Sequence, residues 1–95
     1  MAYKALAQPE PHMTPATRCS RTIEHLSALT TSDVAHRVVQ ALDELEDAYP
    51  DRSDRVIAME DVLQTFVRSR AGKERKAPFA RFVYVTINRR LSVVR

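Results

Sequence analysis

Residues 78–95 read PFARFVYVTINRRLSVVR, and the form this stretch takes decides between an all-helical protein and a mixed one. Its middle, RFVYVTI, is rich in β-branched and aromatic side chains. Asn88-Arg89 could turn it back onto LSVV, giving a hairpin over 81–94 and an α+β alternative. Against this, Phe79, Phe82, Val83, Ile87, Leu91 and Val94 recur at threes and fours, and Pro78 suits a first helical position. Helix is the favoured reading. Its apolar arc spans on the order of 200°, where the edge helix of a small bundle needs only a little over about 100°. On that helix Tyr84 and Val85 are expected outside the stripe facing the core, with Val93 at its margin. Three apolar side chains are thereby left for a partner to cover.

Working back towards the amino terminus, three further helices are expected. Val56, Met59, Val62, Leu63, Phe66 and Val67 form one stripe, with Asp51 and Ser53 available as caps. Gly72, the sole glycine, stands where a helix stop belongs, after Arg68 and Arg70 in the last turn. Before Pro50, which ends the preceding helix, Ala35, Val38, Val39, Leu42, Leu45 and Tyr49 form a second stripe. Its outer face carries Asp43, Glu44, Glu46 and Asp47. Thr30 and Asp33 resemble a capping box with Asp in place of Glu. Thr14-Pro15 starts the first helix as N-cap and first helical residue, followed by Cys19, Ile23, Leu26 and Leu29. Residues 1–13, with Pro9 and Pro11 and no periodicity, read as a flexible arm, and residues 14–95 as a single helical domain. The expected fold is all-α: a small bundle of three to four helices.

Composition narrows the class. Ninety-five residues suit one core, and 44% hydrophobic with 28% charged residues excludes wholesale disorder. Aromatic residues are few and there is no Trp, so the core is expected mainly from Val, Leu, Ile and Ala. A single Cys, no apolar run of membrane-spanning length and no leader-like start point to a reducing, cytoplasmic setting. The net charge of +3 hides an asymmetry: residues 1–50 carry −3 and residues 51–95 carry +6. Such a split permits acidic-against-basic self-association.

Nothing in the residue pattern suggests catalysis. A nucleophile needs a base beside it and an orienting group beyond. Cys19 and His25, six apart, point away from each other on a helix, and His25 and His36 fall on different helices. His12, Cys19, His25 and His36 lack the short spacings of a metal site. The acidic face lacks the glycine and alternating oxygens of a calcium loop. One glycine cannot build a phosphate cradle, so no cofactor is expected.

Two surfaces remain. The first is the carboxyl-terminal helix, where Tyr84, Val85 and Val93 would be apolar contacts and Arg81 and Arg89 a polar rim. It suggests a non-catalytic regulatory or adaptor protein that binds another protein, in the manner of an inhibitor or anti-activator of a bacterial regulatory protein, and that forms a homodimer. The alternative is nucleic-acid binding by the basic run Arg68, Arg70, Lys73, Arg75 and Lys76, extended by Arg81 and opposed only by Glu74. Without a tight glycine turn between helices, no base-reading element is expected. Membrane binding is not expected, because the final basic helix has no Trp anchor.

Overall fold

A computed structural model of the chain describes residues 13–94, so residues 1–12 of the expected arm lie outside the described residues. Five helices follow in order: α1 (Pro15–Leu26), α2 (Val34–Ala48), α3 (Arg52–Arg68), the four-residue α4 (Arg70–Lys73) and α5 (Pro78–Val94). No strand forms among the described residues, and the hairpin alternative for 81–94 is set aside. The reason lies in tertiary burial. Ala80, Val83, Ile87 and Leu91, spaced by threes and fours, bring four buried side chains onto one face of α5. A hairpin pleat would scatter them over both faces of a ribbon, so the local β preference of Val, Tyr and Thr is overridden.

Two of the expected helix starts are seen in atomic detail. The Thr14 hydroxyl accepts the Thr17 amide at 3.1 Å with Pro15 behind it, and the Asp51 carboxylate accepts the Asp54 amide at 3.1 Å. Each satisfies one of the donors that a helix start leaves without an intrahelical partner. The capping box expected at Thr30 and Asp33 does not form. Asp33 occupies the N-cap position of α2 without a side-chain bond to the helix. Its carboxylate instead accepts the Thr31 hydroxyl at 2.7 Å. That bond, the first of several causes, lowers the pKa of the exposed Asp33 carboxyl.

The core is one cluster drawn from α1, α2, α3 and α5, and it includes Ile23, Leu26, Val38, Leu42, Leu45, Met59, Val62, Phe66, Ile87 and Leu91. Four alanines, Ala16, Ala41, Ala58 and Ala80, are buried with them, one on each of the long helices. In α2 the buried alanine is Ala41, while Ala35, expected in the stripe, is exposed. Small side chains at these positions let neighbouring helices approach closely. α1 packs on α2 and α3, and α5 packs on α3 and α2. The α3–α5 pair is antiparallel. Phe66, late in α3, meets Phe79 and Tyr84, early in α5. At the other end, the Arg52 guanidinium donates to the Val94 carbonyl. Across the bundle, the Arg90 guanidinium on α5 reaches Asp43 at 2.9 Å and Glu46 at 3.3 Å on α2. Two members of the acidic face are thus tied to the helix opposite.

Every connection among the described residues is made without a positive φ, at glycine or elsewhere. Gly72 therefore does not end a helix through left-handed backbone. α3 stops at Ser69, whose extended conformation (φ −78°, ψ 162°) turns the chain into α4. Gly72 lies inside that short helix, and its role is spatial. A Cβ placed there would stand 1.7 Å from the Phe66 carbonyl oxygen and 2.7 Å from its carbonyl carbon. Two stretches of backbone touch at this point, and only glycine lets them.

Candidate functional site

The corner between α3 and α5 is held by a small polar network beneath a basic surface. The Ser69 hydroxyl donates to the Phe66 carbonyl at 2.7 Å and accepts the Gly72 amide at 3.0 Å. The Tyr84 hydroxyl, on α5, donates to the Gly72 carbonyl at 2.8 Å. The Tyr84 ring packs edge-on against Phe66, with centroids 5.2 Å apart, and the Phe79 ring does so at 6.2 Å. Edge-to-face geometry of this kind stabilises beyond simple burial. On the Tyr84 ring sits the Arg75 guanidinium, 5.5 Å from its centroid, within cation–π reach. The chain's bonds and ring contacts thus fix the shape of the turn that bears Arg70, Lys73, Arg75 and Lys76.

Tyr84 accordingly belongs to the interior edge of the bundle, which corrects its expected place on the free surface. At about 100° per residue, Tyr84 lies only about 40° from Ala80 around the helix and about 20° from Leu91. Both of those residues are buried. Ala80 falls within the arc that Ile87 and Leu91 already mark, so Tyr84 sits about 20° beyond the edge of the expected stripe, near enough for its ring to reach Phe66.

The other four residues proposed for partner contact stay together. Arg81, Val85, Arg89 and Val93 follow one another at intervals of four and form a single ridge along the outward side of α5. Val85 is 48% exposed and Val93 82% exposed, and both arginines are exposed. Of the three apolar side chains expected to be left over on this helix, Tyr84 is taken up by the fold and the two valines stay on the ridge. A third large apolar side chain, Ile57 on α3, is 65% exposed beside Thr14, Ala16 and Tyr49. It belongs to a different side of the molecule.

The residues proposed for nucleic-acid contact are all exposed and gather at one end. Arg68 closes α3, Arg70 and Lys73 lie on α4, Arg75 and Lys76 are in the turn that follows, and Arg81 is in the first turn of α5. None of them forms an ion pair with a described carboxylate. Lys73, Arg75 and Lys76, with Glu74 and Ala77, line a shallow hollow in this surface.

The remaining candidates for chemistry are dispersed. His25 and His36 are exposed on separate helices, and His12 falls outside the described residues. Cys19 is buried at the floor of a cleft of about 220 Å³ between α1 and α2, whose walls carry Arg18, Arg37, Gln40 and Glu44. Burial, the largest influence, pushes its thiol up to about 12, against a smaller opposing effect of Arg90. Its hydrogen is directed at the Ala41 carbonyl, 3.6 Å away. A thiol so placed stays protonated at neutral pH and is a poor nucleophile. Among the described residues, no three His, Cys, Asp or Glu side chains converge as metal ligands, and no helix is long and apolar enough to cross a membrane.

Compared with protein-family models, with curated proteins and with solved structures, the chain finds no match.

Proposed function

We propose that this chain is a non-catalytic binding protein, a regulator or adaptor, whose working surface is the outward ridge of α5 and whose partner is another protein. One observation carries the reading: Val85 remains exposed between Arg81 and Arg89, and Val93 one turn beyond Arg89, after the bundle has closed. Apolar centres flanked by arginine are the composition that protein interfaces favour. A rigid, two-ended support stands behind them, because α5 is fixed by Tyr84 at one end and by Arg52 and Arg90 at the other.

The chemistry of the ridge also suggests the character of the partner. A second copy laid antiparallel on this ridge would bring four arginines into one interface, which like-charge repulsion opposes. A surface offering apolar side chains with carboxylates at their flanks fits better. Self-association has more support from the opposite charges of the two halves of the chain.

The test pairs the wild type with the Val85→Asp, Val93→Asp variant. Both side chains are exposed, so the circular dichroism spectrum is expected to be unchanged, while a partner captured by the wild type from the native host is lost. Equal capture by both proteins refutes the ridge. Light scattering on the same two samples reports the oligomeric state. A wild-type dimer that the variant dissociates would identify the partner as a second copy.

A further inference from the structure

We infer that the basic end of the molecule docks on the phosphate backbone of duplex nucleic acid without reading its sequence. Arg68, Arg70, Lys73, Arg75, Lys76 and Arg81 converge there from α3, α4, the turn and α5, against Glu74 within the run and Glu24 of α1 near Ser69. Cations in exposed groups of this size displace the counterions condensed on a duplex, and that release drives association.

Three features favour this occupant. The carboxylates of α2 do not neutralise the basic end. Asp43 and Glu46 are bound at the level of Arg90, twelve residues along α5 from Pro78. That separation is about 18 Å along the helix axis, roughly twice the screening length at physiological salt. The turn is also pre-formed, through Ser69, Gly72 and Tyr84, so little ordering remains to oppose binding. Finally, among the described residues, no aromatic ring at this end is free to stack on an unpaired base. Tyr84 is engaged by Phe66 and Arg75, and Phe79 is half-buried on the core. Single strands are held largely by such stacking, whereas duplexes need only charge. The helix at the centre of the surface, α4, has four residues. It is too short to lie along a major groove and read base edges.

This inference does not depend on the outward ridge of α5, and Val85→Ser with Val93→Ser is expected to leave duplex binding unchanged. The test is fluorescence anisotropy of labelled duplex DNA, duplex RNA and single-stranded DNA, each about 20 nucleotides long, at roughly 50 and 200 mM salt. The wild type is expected to bind either duplex at the lower salt and to weaken steeply at the higher. The Arg70→Ala, Lys73→Ala, Lys76→Ala variant is expected to bind at least about tenfold more weakly, its salt slope shallower by about 2.7, or 0.9 per lost phosphate contact. The charge-preserving Arg70→Lys, Lys73→Arg, Lys76→Arg variant should bind like the wild type. Absence of duplex binding at low salt overturns the inference, as does an alanine variant that binds like the wild type while folded by circular dichroism. Tighter binding to single-stranded DNA, or to labelled poly-glutamate, also overturns it, the latter in favour of an acidic protein.

Discussion

Gly72→Ala separates intrinsic helix preference from the close approach of two backbones. Gly72 is helical and has no positive φ, so alanine can adopt its conformation without strain. Preference alone would make the substitution stabilising by about 0.5–1 kcal/mol. The geometry dictates the opposite. The new methyl carbon would stand 1.7 Å from the Phe66 carbonyl oxygen, less than half the ordinary separation, and backbone cannot rotate aside as a side chain can. Relief requires α4 to move away from the end of α3. That motion stretches the Ser69–Gly72 and Tyr84–Gly72 hydrogen bonds and loosens the Phe66–Tyr84 contact. Overpacking costs about 1–3 kcal/mol and each weakened hydrogen bond about 1 kcal/mol. With the helix preference subtracted, the expected loss is about 2–4 kcal/mol. For a chain of this size that lowers the thermal midpoint by at least about 8 °C. Circular dichroism melts of the wild type, Gly72→Ala and Ala71→Gly supply the measurement. Ala71→Gly, in the same short helix, should lose only about 0.5–1 kcal/mol. A Gly72→Ala protein that melts at or above the wild-type temperature would refute the close approach and the corner built on it.

Other perturbations address the remaining parts of the fold. Tyr84→Phe removes only the hydroxyl bond to the Gly72 carbonyl and should lower urea stability by about 1 kcal/mol, whereas Phe66→Ala, which empties the centre of the aromatic group, should lose about 3–5 kcal/mol. Arg90→Gln should cost under about 1 kcal/mol, an effect that shrinks with added salt, since Asp43 is largely exposed. Cys19 should resist thiol reagents at pH 8 until the protein is unfolded. Its folded pKa of about 12 stands above the ordinary 9.0, so the proton is held more tightly in the folded state. The associated stability is complete below pH 9 and is lost as pH rises towards 12. Cys19→Ala should flatten that alkaline loss, and an unaltered profile would disprove the linkage.

What was legible in the sequence was what local chemistry decides. Thr14-Pro15 and Asp51 cap helices within three residues of themselves, and both caps are seen. The stripes of leucine, isoleucine and valine located the core faces of all four long helices. The alanines do not announce themselves, because a methyl group contributes little to a hydrophobic pattern, yet four of them are buried. Gly72 was read through the commonest use of glycine at a helix end, and its real constraint comes from Phe66, six residues away and visible only once the chain has turned. The Arg90 contacts with Asp43 and Glu46 likewise join residues more than forty apart. Of the expected partner ridge, the four residues at intervals of four share a face in the structure, as helix geometry requires, while Tyr84, at the edge of the stripe beside Leu91, is drawn inward by Phe66 and the Gly72 carbonyl.

The absence of left-handed backbone from the described chain has a consequence for how such a sequence can vary and how it remains folded. Its four corners are turned with conformations that any L-amino acid can adopt, so no connecting position is reserved for glycine on torsional grounds. Substitution in the loops is limited instead by the capping hydroxyls and carboxylates and by side chains such as Leu29 and Tyr49 that pack on the core. A chain with one glycine in ninety-five residues also explores fewer conformations when denatured. It therefore surrenders less disorder on folding, which partly compensates for the modest core a protein of this length can assemble.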